Sequence, residues 1–246
     1  MIAALIVLMA QTSIVSVNRL IVGECAGKVW TDKPGRRHLG KELEWRQVLA
    51  NGLGTPETFK LVQGGGSFPD HVYLGENVTD IDLGPTFRVR VAGSKPKTPK
   101  LVALNPRDRA LLDFVRFYVR SKGITNPKVV IDQALAVDLD RDGMKEVLIS
   151  ARSRTNPTIE SKDDYCVALL RARVGQAMKT IELGYYSNYR QQYGPFESEF
   201  VGFADYDGDG TFEFVHAVKD PWGELYGVYR VRRGRLVKLS EVGEGD

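Results

Sequence analysis

The sequence predicts a mainly β chain with some α, an α+β class. Two tandem four-stranded antiparallel, blade-like units are expected, capped by one helix and by an N-terminal β-rich segment, and too few to close a propeller ring. Three observations predict it. Two nine-residue acidic segments, at 138–146 and 205–213, are each followed by a run rich in β-branched and aromatic residues. The pattern that follows the first recurs after the second. One amphipathic stretch, 105–123, carries helix start and stop signals.

At 246 residues the chain has room for one large domain or two small ones. Its expected parts are an apolar N-terminal segment at 1–22, an α+β segment at 23–104, the helix at 105–123, and the two units at 132–246, spanning 132–186 and 199–242. The first ten residues, Met1 to Ala10, form an unbroken apolar run. It is too short to span a bilayer, which takes about 20 residues, so no transmembrane span is expected. It has the length of a signal-peptide core but lacks a basic flank, and Leu8 before Ala10 makes a poor cleavage site. A buried N-terminal strand is the other reading.

Within 28–104, His38 to Asn51 spaces Leu39, Leu43, Val48 and Leu49 in a modest helical pattern that Gly52 would stop. Phe59–Val62, His71–Leu74 and Thr86–Val91 alternate like short strands. The run Gly64-Gly-Gly-Ser67 is followed by Phe68-Pro69 rather than by a helix, so it reads as a hairpin and not as a phosphate loop. Asn77-Val-Thr79 has the glycosylation pattern. Ser94 to Lys100, basic and punctuated by Pro96 and Pro99, reads as an exposed linker.

The helix follows. Asn105 suits the N-cap and Pro106 the first helical position. Leu111, Leu112, Phe114, Val115, Tyr118 and Val119 form a wide apolar stripe, with Arg107, Arg109, Arg116 and Arg120 largely off it, and Gly123 suits the C-terminal cap.

The second half carries an internal repeat. Asp205 follows Asp138 by 67 positions; later, Gly234 follows Gly175 by 59, which places an insertion of 8 near Thr155 to Asp163 of the first copy. Each copy reads as strand, acidic loop, strand, connection, strand, Gly hairpin, strand. Repeats need at least three units or caps to cover their open faces, so the helix and strands of the first half are expected to cover them. Cys166, Ala168, Leu170 and Ala172 on one face, with Tyr165, Val167 and Leu169 on the other, describe a strand covered on both sides. Tyr229 and Val231 alternate with Arg230 and Arg232, so one face of that strand is expected to meet water.

The acidic segments carry the chemistry. Both read D-x-D-x-D-G-x-x-E and pack four carboxylates into nine residues. Two unit charges about 4 Å apart interact by roughly 4 kcal/mol near a protein surface, and neither segment carries enough positive charge of its own to offset that. A hard cation would, and Ca2+ takes six to eight oxygens. Side chains at positions 1, 3 and 5 converge, Gly at 6 permits the sharp turn, and a carbonyl at 7 adds a ligand. Position 12, where an EF-hand closes with Glu, holds Ile149 in one segment and His216 in the other. The candidate ligands are therefore Asp138, Asp140, Asp142, the carbonyl of Met144 and Glu146 in the first, and Asp205, Asp207, Asp209, the carbonyl of Thr211 and Glu213 in the second: two Ca2+ sites. Two solvated Asp-rich turns without an ion are the alternative.

This loop-then-strand pattern resembles the calcium loop of FG-GAP and VCBS-type repeats, the blades of integrin-α-like propellers. The resemblance covers 132–242. Position 9 is Glu where Asp is commoner in that family, no Gly-Ala-Pro segment is present, and there are two copies. It implies that the loop carboxylates and one carbonyl hold a structural Ca2+.

The expected function is that of a calcium-binding, non-catalytic binding or adhesion protein, exported to an extracellular, periplasmic or cell-surface setting, with a protein or glycan partner. Cys25 and Cys166 would be free to pair there; two buried thiols is the other reading. The alternative is an enzyme or small-ligand module with its site in 28–104. A third is a recognition surface around Tyr185, Tyr186, Tyr189, Tyr193 and Trp222. A net charge of +3 is too small to point to nucleic acid. No G-x-S-x-G, H-E-x-x-H, P-loop, dinucleotide fingerprint or zinc-type cysteine cluster is present.

Overall fold

In the computed structural model of the chain, residues 12–31, 33–64, 70–75, 87–153, 163–187, 197–220 and 223–245 are described. They form sixteen strands and one α-helix. The apolar run at 1–10, most of the Gly64–Ser67 loop, the Asn77–Thr79 pattern, Tyr189, Tyr193 and Trp222 lie outside the described residues.

The first half makes one antiparallel sheet from β1 (Thr12–Val17), β2 (Leu20–Ala26), β3 (Val29–Trp30), β4 (Glu42–Leu49), β5 (Gly52–Gln63), β6 (Val72–Leu74) and β7 (Val89–Ala92). Pairing runs β1-β7-β4-β5-β6-β2 and returns from β2 to β1, so the sheet curls into a circuit, thinnest at the single β2–β6 residue pair, Leu20 with Tyr73. Alternation gives it two apolar faces. Ile14, Ile21, Trp45, Leu61 and Leu74 fill the inside. Val15, Val17, Leu20, Val22 and Val91 face outward.

A second sheet orders β8 (Val102–Ala103), β9 (Val130–Val137), β10 (Glu146–Arg152), β11 (Tyr165–Val174) and β12 (Ala177–Ser187) side by side. A third orders β13 (Glu197–Ala204), β14 (Glu213–Asp220), β15 (Gly223–Arg232) and β16 (Arg235–Gly245) in the same way, and every neighbouring pair is antiparallel. The layers stack in a line. The helix α1 (Arg109–Ser121) covers one face of the second sheet through Val115 and Val119. The other face meets the third sheet through Leu148, Leu170, Phe200 and Phe214. The far face of the third sheet, through Val215, Tyr226 and Val228, meets the outside of the first. The expected covering by the helix and by first-half strands is found at the two ends of this stack.

Two polar contacts fix the layers in register. Gln133 clamps Phe200 across the second and third sheets: its amide nitrogen donates to the Phe200 carbonyl at 3.0 Å and its amide oxygen accepts from the Phe200 N–H at 2.8 Å. Ser240 donates to the Val22 carbonyl at 2.7 Å, joining the third sheet to the first. At Gly202, with φ of 60°, a Cβ would sit 2.6 Å from Val89, so only glycine permits this approach of β13 to β7.

Several expectations are corrected. The helical pattern at His38–Asn51 is the strand β4. Leu43 and Trp45 pack inside the first sheet while Val48 packs outside it, and apolar residues on both faces of a strand imitate helical spacing. No α-helix lies in 23–104 among the described residues, and β2 crosses the 22/23 boundary. The helix starts later than expected: Asp108 caps it, accepting from Ala110 N–H at 2.7 Å and Leu111 N–H at 3.4 Å, while Asn105 accepts from Arg107 N–H in the preceding turn. Gly123, with φ of 100°, follows the cap residue Lys122. Ser94 to Lys100 is no simple linker, because Ser94, Pro96 and Pro99 are buried while the lysines are exposed. Cys25 and Cys166 are both free and buried, in different sheets, and burial pushes each thiol up to about 12. The two faces of β11 hold as expected: Ala168, Leu170 and Ala172 toward the third sheet, Tyr165, Val167 and Leu169 toward the helix side.

Candidate metal centres

Each acidic segment turns between two adjacent strands, the first between β9 and β10, the second between β13 and β14. The same backbone pattern folds both. The N–H of the second residue donates to the closing glutamate: Leu139 to Glu146 and Tyr206 to Glu213, each at 2.8 Å. The N–H of the seventh donates to the fifth: Met144 to Asp142 and Thr211 to Asp209, each at 2.8 Å. Gly143 donates to Asp138 at 3.2 Å. Gly143 and Gly210 have φ of 87° and 96°, conformations open to glycine at little cost.

The result is convergence. One oxygen each of Asp138, Asp140 and Glu146 lie within 4.8 Å of one another, and so do those of Asp205, Asp207 and Glu213. Glu146, Asp205, Asp207 and Glu213 are buried. Asp138 Oδ1, Asp140 Oδ1, Asp205 Oδ1 and Glu213 Oε1 are shielded from solvent without a hydrogen-bond partner. Asp142 and Asp209, also candidates, stand outside the converged oxygens: Asp142 is exposed, and both carboxylates accept from the turn. Met144 and Thr211 enter the geometry through their N–H groups. Ile149 packs on the helix side of the second sheet, and His216 is stacked on Phe200 with its Nε2 2.7 Å from Ser198 Oγ, so neither position-12 residue reaches a loop.

Protonation reflects burial first and crowding second. Burial pushes the Glu146 carboxyl up to about 7, Asp140 and Asp142 adding to it against the Leu139 N–H. Burial and then Asp207 push Glu213 up to about 9, the Tyr206 N–H and Arg230 opposing. Asp140 is raised by burial and by Asp142, and Asp205 by burial. Asp209 is lowered: burial would raise it, but the Thr211 hydroxyl and N–H and the Arg230 charge outweigh that. Unit charges at 4.8 Å repel by about 3–4 kcal/mol at an effective dielectric of 20. A cation beside the three oxygens would relieve that repulsion. A hard divalent ion that takes carboxylate oxygens fits this donor set.

Sequence reasoning missed the cation and the indole donor around the second loop. Arg230, expected on a wet face, is only 11% exposed, and its Nη1 lies 2.8 Å from both Asp207 and Asp209 and 3.7 Å from Glu213. The cause is register: Arg230 pairs across the ladder with Glu213, so their side chains share a face. Trp30 Nε1–H donates to Asp207 at 3.4 Å, a contact from 177 positions away with no local signature. The second loop is also anchored at its backbone: Asp205 N–H donates to Lys97 at 2.9 Å, and the Tyr206 carbonyl accepts from Ser13 and Cys25.

No protein-family model, curated protein or solved structure matches the chain.

Proposed function

We propose that the two acidic loops each hold a Ca2+ ion and that the ions stabilise a non-catalytic binding protein of the exported or cell-surface kind. The observation that carries this reading is the double convergence of three carboxylates, each set with buried oxygens that have no hydrogen-bond partner. Within it, the second and third sheets are two copies of one blade-like unit akin to FG-GAP and VCBS-type repeats. Identical hydrogen bonds at equivalent loop positions support the duplication, and the shared D-x-D-x-D-G-x-x-E spacing is what suggests the kinship. Met144 and Thr211 would add carbonyl ligands, and Asp142 and Asp209 would turn inward or bind through water. The ion's part is structural: it neutralises the carboxylates and pins each loop between its strands. Sites of this type with Kd of about 10^-4 to 10^-3 M fill at extracellular Ca2+ levels. Partner binding, to a protein or a glycan, would use the surfaces the stack holds rigid.

An ion that binds the folded state alone adds RT ln(1 + [L]/Kd), about 2.7 kcal/mol per site at a hundredfold excess. The test is thermal unfolding of the whole chain with EDTA and with excess Ca2+. A higher Tm with Ca2+, and none with Mg2+ at the same concentration, supports the reading; identical curves with chelator and with Ca2+ defeat it.

A further inference from the structure

The two loops share a backbone and differ in charge. Among the described residues no ion pair reaches Asp138, Asp140, Asp142 or Glu146. Around the second loop Arg230 touches Asp207 and Asp209 at 2.8 Å and approaches Glu213 at 3.7 Å. Its counterpart in the repeat pattern, Arg171, pairs across the ladder with Val147, one residue beyond Glu146, so it faces the opposite side of the sheet. There its guanidinium stacks over Phe114 at 4.5 Å. A one-residue difference in register thus brings an arginine to one site and removes it from the other. Arg141, from the first loop, adds a second guanidinium beside the second, stacked over Phe212 at 4.6 Å. Arg230 fills only part of the demand: Asp205 Oδ1 and Glu213 Oε1, on residues 8% and 0% exposed, have no hydrogen-bond partner, and neither has Arg230 Nε.

Resting on the reading of both loops as cation sites, we infer that Arg230 is a built-in competitor for the ion at the second loop. The chain therefore carries one tight Ca2+ site, at Asp138–Glu146, and one weak site at Asp205–Glu213, where Ca2+ enters by displacing the arginine from Asp207 and Asp209. Like charges a few ångströms apart repel strongly at any dielectric a protein offers, which sets the separation at tenfold or more. The second loop is also the one bound to the first sheet, through Trp30 and Lys97. Contact between the third and first sheets would then respond to Ca2+ over a higher concentration range than the first loop does.

The experiment is calorimetric titration of Ca2+ into the metal-free whole chain: native, Glu146→Gln, Glu213→Gln, and Glu146→Gln combined with Arg230→Gln or Arg230→Lys. Native protein is expected to show two steps at least tenfold apart, the tighter lost in Glu146→Gln and the weaker in Glu213→Gln. Adding Arg230→Gln to Glu146→Gln should tighten the remaining step at least tenfold, and Arg230→Lys should leave it within about threefold. An unchanged remaining step overturns the inference while leaving two Ca2+ sites in place. Should Arg230→Gln not fold, the order of the native steps decides: loss of the tighter step in Glu213→Gln overturns it. No binding by native protein overturns both this inference and the reading beneath it.

Discussion

Phe212 donates its backbone N–H to the carbonyl of Leu139 at 2.8 Å, joining the second acidic loop directly to the first. Both residues sit inside the loops whose carboxylates converge, and Arg141 stacks on the Phe212 ring beside this bond. The two sites are therefore neighbours in one structure rather than independent turns. An ion that fixes either loop fixes a partner in this hydrogen bond. The Phe212 amide is expected to exchange with solvent at least tenfold more slowly in Ca2+ than in EDTA, read by hydrogen exchange. Equal rates would mean that the loops are rigid without an ion.

Removing the ion should make stability depend on pH in a set direction. Glu146 and Glu213, near 7 and 9 when buried without a metal ion, are raised above the ordinary glutamate value of 4.5. A raised carboxyl favours the folded state below its unfolded pKa, and that contribution is lost as pH rises through the folded one. In EDTA, Tm should fall between about pH 5 and pH 9; in Ca2+ the fall should be much smaller. Ca2+ binding near pH 8 should also release protons, visible as a dependence of the calorimetric enthalpy on the buffer's ionisation heat. A gap between the two Tm curves that stays constant with pH would count against these carboxyls as ligands.

His216 supplies a slope of the opposite sign. Burial between the second and third sheets holds its imidazole down at about 4, against 6.5 for the ordinary side chain. The unfolded chain binds that proton first, so stability is full above about pH 6.5 and is lost as pH falls through about 4. The difference is on the order of 3 kcal/mol at most. Denaturant unfolding of Ca2+-loaded native protein and of His216→Leu over this range tests it: the variant is less stable at pH 7 but should show a flatter acid limb. Parallel limbs would assign the acid loss to other groups.

What the sequence carried was whatever is local. The acidic segments were readable as tight turns that gather carboxylates, but convergence was expected at positions 1, 3 and 5, whereas the oxygens that meet come from positions 1, 3 and 9, because Asp142 and Asp209 accept the N–H of the seventh residue instead. Both faces of β11 were readable because Tyr165 to Ala172 alternate apolar residues on either side. The helix stripe was readable, and its start was misplaced by three residues because Asn105 and Asp108 are both good caps and only one continues into the helical turn. What depended on distant partners was not. Leu39, Leu43, Val48 and Leu49 are spaced like a helix until it is known that Leu43 and Val48 pack on opposite faces of a strand. Pro96 and Pro99 look exposed among their lysines, yet both are buried, and the second acidic loop holds the stretch through Asp205 N–H on the Lys97 carbonyl. Arg230 looks solvated until its ladder pairing with Glu213 is known, and one residue of register separates it from the fate of Arg171.

The most direct measurement is a count of bound ions. The chain is stripped with chelator, dialysed against Ca2+ in excess of both sites, and its metal content measured by atomic emission. Two Ca2+ per chain are expected for native protein, one for Glu146→Gln, one for Glu213→Gln and none for the double variant. A folded native chain that retains no Ca2+, or a double variant that still retains two, would contradict the assignment of these carboxylates.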